Sequence, residues 1–71
     1  MKTPRGLSGQ EVIRALRREG FEIVRQRGSH VRLGKGSLKV TVPAHGSLNV
    51  KTLSSILEQA NLDLDDFLDS L

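Results

Sequence analysis

The chain has no cysteine, no tryptophan and no tyrosine, and its 71 residues include only two phenylalanines, Phe21 and Phe67, and two prolines. Without thiols, and with two histidines in all, neither a disulfide framework nor a structural zinc site is expected, so stability has to come from aliphatic packing. So few aromatic residues argue against a platform on which nucleobases stack. No apolar run reaches the roughly 18 to 20 residues that span a bilayer, and the opening MKTPRGLSGQ lacks the apolar stretch of a secretory signal. These absences lead us to expect a soluble, cytoplasmic protein that does not engage a membrane. At this length one hydrophobic core is the limit, so residues 1–71 are read as one domain, with 1–6, which hold Pro4 and Gly6, as a flexible arm.

Acidic residues are scarce where basic ones are plentiful. All 11 Lys and Arg lie in residues 1–51 beside only Glu11, Glu19 and Glu22, a net of +8, whereas residues 52–71 hold five carboxylates and no base, a net of −5. The first two-thirds of the chain can therefore build a surface for a polyanion, because clustered cations release counterions from phosphates. A solvated surface of mixed charge accounts for the same balance, and charge alone does not separate the two.

Local patterns set the order of elements. Ser8-Gly9-Gln10-Glu11 fits a capping box with Leu7 as a hydrophobic staple, and Val12, Ile13 and Leu16 recur at helical spacing up to Gly20, so a helix is predicted from about Gly9 to Glu19. Arg14, Arg17 and Arg18 fall on its flanks, as on an ordinary solvated helix face. Three glycine-bounded stretches follow, Phe21 to Arg27, Ser29 to Leu33 and Leu38 to Val42, with turns near Gly28 and Gly34-Lys35-Gly36, and read as an antiparallel meander.

Alternation puts Val31, Leu33, Leu38, Val40 and Val42 on one face and His30, Arg32, Lys39 and Thr41 on the other. In the first strand it sends Phe21 and Ile23 to the apolar face and leaves Glu22, Val24 and Gln26 on the polar one, with Val24 the exception. Pro43 closes the third strand. A loop through His45 leads to a second helix over about Val50 to Ala60 with Leu53, Ile56, Leu57 and Ala60 buried. Asn61 ends it in the left-handed conformation, and a short final helix from Asp63 to Asp66 onward offers Leu64, Phe67, Leu68 and Leu71 to the core. The expected class is α+β, in the order α-β-β-β-α, with helices on one face of a three-stranded antiparallel sheet and the other face open.

Phosphate-binding loops of the G-x-x-x-x-G-K-[ST] type, metal-spaced carboxylate and histidine sets and cysteine nucleophiles are all missing, so no metal and no cofactor is expected. What remains is Gly28-Ser29-His30 at the start of a strand, with Arg25 and Arg27 just before the turn and Arg32 and Lys39 on the face of His30. RNA cleavage without a metal needs a group that takes the 2′-hydroxyl proton, cationic donors for the phosphorus oxygens and an acid for the leaving 5′-oxygen. Histidine suits the first and last because both protonation states exist near neutral pH. From the residues alone the alternatives stay open. His30 also reads as a plain surface histidine, Ser29 as a turn residue and His45 as a loop residue that hydrogen-bonds backbone.

Leu7-Ser8-Gly9 with Glu11-Val12-Ile13, Gly20-Phe21, Arg25-Gln26-Arg27-Gly28-Ser29-His30, Val42-Pro43-Ala44-His45, Thr52-Leu53 and Ile56-Leu57 together span nearly the whole chain. In these stretches the sequence resembles the HicA (YcfA-like) toxins of type II toxin-antitoxin systems. Lys51, where many relatives have glycine, and the short hairpin at Gly34-Lys35-Gly36 depart from the pattern. The resemblance implies a fold similar to the double-stranded RNA-binding domain and an mRNA interferase, an endoribonuclease that cuts mRNA and halts translation until a HicB-type antitoxin covers it. It places the catalytic histidine at His30, and Arg25, Arg27, Ser29, Arg32, Lys39 and His45 become the candidate RNA contacts. Two readings compete with it: a non-catalytic RNA-binding module using the same basic sheet face, and a domain that docks a protein partner there.

Overall fold

The computed structural model describes residues 6–71, so the arm expected over 1–6 lies, apart from Gly6, outside the described residues. Helix α1 (Gly9–Arg18) is followed by strands β1 (Glu22–Arg27), β2 (His30–Lys35) and β3 (Leu38–Pro43), then helices α2 (Val50–Gln59) and α3 (Leu64–Asp69). The strands form one antiparallel sheet in the order β1-β2-β3. Helices cover one face of it, and the expected α+β order of α-β-β-β-α holds.

The starts of α1 and α2 follow from side chains that satisfy backbone donors. Ser8 Oγ accepts from the Glu11 amide and the Glu11 carboxylate accepts from the Ser8 amide, each at 3.1 Å, while Asn49 Oδ1 accepts from the Thr52 amide at 2.7 Å. The hydrogen bond from the Ser8 amide, with that of its hydroxyl, holds the Glu11 carboxyl below the usual carboxylate range. A lowered value in the folded state means that this contribution is complete at neutral pH and disappears as the pH falls through the lowered value. A Glu11→Gln protein is therefore expected to lose less stability than the wild type between neutral and acid pH, read as thermal midpoints across that range. Parallel curves would contradict it.

Val12, Ala15 and Leu16 of α1, Val31, Leu33, Val40 and Val42 of the sheet, and Leu53, Ile56 and Leu57 of α2 form one core with Phe21 and Phe67. Helix α1 reaches the sheet through Gly9: a Cβ there would stand 1.9 Å from the Pro43 carbonyl oxygen and 2.8 Å from the Ala44 Cα. Both obstacles are backbone, so a side chain has to push the helix off the end of β3. Gly9→Ala is expected to cost about 2 kcal/mol, measured as a drop in urea midpoint at constant slope; equal or greater stability would show that the helix has room to move.

Both hairpins are closed by two-residue loops, Gly28-Ser29 and Gly36-Ser37, with φ near +59° at the glycine and no positive φ at the serine, the pattern of a type II′ turn. The second turn thus lies beyond the Gly34-Lys35-Gly36 expected from sequence. Gly34 and Lys35 belong to β2 because Gly34 sits under the side chains of Lys39 and Val24, which leave a Cβ only 3.1 and 3.5 Å of clearance. Lys35 in turn donates from Nζ to the Glu19 carbonyl at 2.8 Å, closing the end of α1, and lies 5.9 Å from the centre of the Phe21 ring.

Two further expectations need correction. Ile23 falls on the helix side of the sheet, opposite Leu33, yet is 44% exposed, because β1 is an edge strand and the helices leave its outer margin uncovered. Leu71 is also exposed: α3 turns Phe67 inward, while Ser70 at its end hydrogen-bonds the Glu19 carboxylate and accepts at its carbonyl from Arg18 Nη1 at 2.7 Å. Asn61 does end α2 with a left-handed φ of 55°.

Candidate functional site

The open face of the sheet is built in rows across the three strands. Arg27, His30 and Pro43 form the first row, Arg25, Arg32 and Thr41 the second, and Glu22, Gly34 and Lys39 the third; the residues between them face the helices. Strict alternation from the buried Phe21 would have sent Arg25 and Arg27 to the helix side and Gln26 outward. The opposite occurs, because the ladder skips Val24: Ile23 pairs with Leu33, and the next pair is Arg25 with Arg32. A single extra residue in an edge strand shifts the side-chain parity beyond it. Gln26 consequently sits opposite Val31, on the helix side, and both arginines join His30. Val24 keeps its expected place on the polar face, over Gly34, and is 54% exposed.

Arg25, Arg27, His30, Arg32 and Thr41 line a shallow, open depression of about 180 Å³. His30 stands in it as an exposed side chain on the first residue of β2, next to the turn that Gly28 makes possible. The face as a whole carries Arg25, Arg27, Arg32 and Lys39 against one carboxylate, Glu22, and that carboxylate lies in the third row, away from the histidine. An exposed imidazole flanked by three guanidinium groups sets cationic hydrogen-bond donors that suit a phosphodiester beside a side chain of the kind that passes protons to and from hydroxyl groups.

Other candidate residues are not in the depression. Lys39 shares the face but donates from Nζ to the Gly36 carbonyl at 3.3 Å, one row away. Ser29 contributes its carbonyl, which accepts from the Ala44 amide at 2.6 Å and ties the loop after β3 to the hairpin turn. His45 is exposed on that loop and does not line the depression. Thr41 does line it; the alternation of β3 had placed it on this face without marking it as a contact. Among the described residues no three His, Asp or Glu side chains come together as metal ligands.

The family model described as "HicA toxin of bacterial toxin-antitoxin" matches residues 9–62, a stretch that contains α1, all three strands, His30 and α2. The chain belongs to the HicA toxin family. It is a toxin of a toxin-antitoxin system, and a cognate antitoxin is its partner. Comparison with curated proteins finds no match. The HicA match stops before α3, so Phe67 and the contacts of Ser70 lie outside the matched stretch. No helix among the described residues is long and apolar enough to cross a membrane.

Proposed function

We propose that this HicA-family toxin is a metal-independent endoribonuclease that cuts mRNA with His30, thereby inhibiting translation, and that a HicB-type antitoxin neutralises it by covering the open face of the sheet. The observation that carries the reading is the convergence of exposed His30 with three guanidinium groups in one depression. His30 takes the proton of a ribose 2′-hydroxyl, and the oxygen attacks the adjacent phosphorus. The bond to the 5′-oxygen breaks as that oxygen gains a proton, leaving a 2′,3′-cyclic phosphate and a 5′-hydroxyl. Arg27 and its neighbours hold the phosphate oxygens as charge collects on them. DNA has no 2′-hydroxyl and is spared.

Incubating the purified protein with single-stranded RNA in EDTA tests the reading directly. Cleavage supports the enzyme; salt-sensitive binding without products leaves a module that only binds RNA through the same face. Since Phe21 and Phe67 are both buried, the open face has no Phe, Tyr or Trp ring on which to stack a base, and contact runs chiefly through the RNA backbone. For the antitoxin, Val24 is the apolar contact on an otherwise polar face. Val24→Asp is expected to weaken the complex with the cognate antitoxin by about tenfold or more, as for an apolar interface residue replaced by a desolvated charge, measured by calorimetry. Unchanged affinity would remove Val24 from the interface.

A further inference from the structure

We infer that the depression seats two consecutive phosphates of one RNA strand separately: the scissile phosphate in the row of Arg27 and His30, and its neighbour in the row of Arg25, Arg32 and Thr41. The inference rests on the ribonuclease reading above and adds a second binding site to it. Arg25 and Arg32 are direct cross-strand partners, as are Arg27 and His30. Like charges directly opposite each other destabilise a sheet, and an anion held between them relieves the repulsion. The second row contains no carboxylate; its third member, Thr41, offers a hydroxyl that can donate to a phosphate oxygen.

The spacing fits a nucleic-acid backbone. Two residues of antiparallel strand cover about 7 Å, a separation that one nucleotide step bridges, and the residues between the rows, Gln26, Val31 and Val42, face the helices, so no cation stands between the seats. The track then ends. The third row holds the Glu22 carboxylate and Gly34, which lies under both Val24 and the Lys39 ammonium, itself bonded back to the Gly36 carbonyl at 3.3 Å. A third phosphate would meet a carboxylate and an apolar side chain beside one ammonium already held in a hydrogen bond.

The test uses His30→Ala protein and 2′-O-methylated dinucleotides with one internal phosphate, bare or carrying an extra phosphate at the 5′ or the 3′ end, titrated by amide NMR shifts. One end-phosphorylated form is expected to bind about fivefold tighter than the bare dinucleotide at low salt, with a salt slope steeper by about 0.7. Adding Arg25→Ala or Arg32→Ala should erase that ratio, whereas Arg27→Ala should weaken all three ligands and preserve it. A ratio of one for both end-phosphorylated forms, or a ratio lost equally with Arg27→Ala, would overturn the two-seat arrangement. Because binding is read without the histidine, the outcome stands apart from catalysis: the ratio present with no cleavage by the wild type removes the ribonuclease reading alone, and cleavage without the ratio removes the second seat alone.

Discussion

His30→Ala is expected to reduce RNA cleavage by a factor of about 10² to 10⁴, the usual share of a positioned general acid or base, and to abolish growth arrest when the protein is expressed without its antitoxin. The side chain is exposed on the first residue of β2 and forms no part of the core, so the circular dichroism spectrum and thermal midpoint should stay close to those of the wild type. That separation makes the experiment decisive. A His30→Ala protein that folds and still cuts RNA at the wild-type rate would assign proton transfer elsewhere. If binding to RNA persists with the rate gone, the guanidinium groups of Arg25, Arg27 and Arg32 suffice to hold the strand, and the imidazole supplies the chemistry.

Phe67→Ala should be the most damaging single change to the fold. Phe67 is 0% exposed and joins a core assembled from both longer helices and the sheet, although it comes from a helix of six residues beyond the stretch that the family shares. Truncating a buried phenylalanine costs about 3 to 5 kcal/mol, against a total stability of roughly 4 to 11 kcal/mol for a chain of this length. The expected result is a fall in thermal midpoint of at least about 12 °C, or loss of the cooperative transition altogether. Phe67→Leu, which keeps most of the volume, should cost less than about 1.5 kcal/mol. If Phe67→Ala melted within a few degrees of the wild type, α3 would be a loose cover, and the contacts of Ser70 with Glu19 and Arg18 would be incidental.

The parts of this protein legible in its sequence are those whose causes lie within a few residues. Ser8 and Glu11 announced a capping box and form one; Asn61 has the left-handed backbone that ends α2; and Leu53, Ile56, Leu57 and Ala60 are buried as their spacing required. The second and third strands obeyed alternation, which was enough to put His30, Arg32 and Thr41 on one face. The first strand did not obey it. Its bulge at Val24 has no mark in a single sequence, because the extra residue reconciles two demands set elsewhere: Phe21 must reach the core, and the Gly28-Ser29 turn must set Arg27 opposite His30. Gly34 misled for a similar reason. Glycine signals a turn locally, but here it makes room for Lys39 and Val24.

From its sequence alone, the chain's element order, its helix caps and the outward position of His30 were determined, since hydrogen-bonding side chains and the two periodicities act over one turn or one strand. Only the tertiary structure decided which cations meet that histidine. Pairing of β1 with β2 carried Arg25 and Arg27 round to it, while the hairpin held Lys39 two rows away and the loop after β3 left His45 outside. Strand register, edge position and the packing of α3 are set by contacts between residues far apart in the chain, and those contacts exist only once the sheet and its helices have closed on a common core.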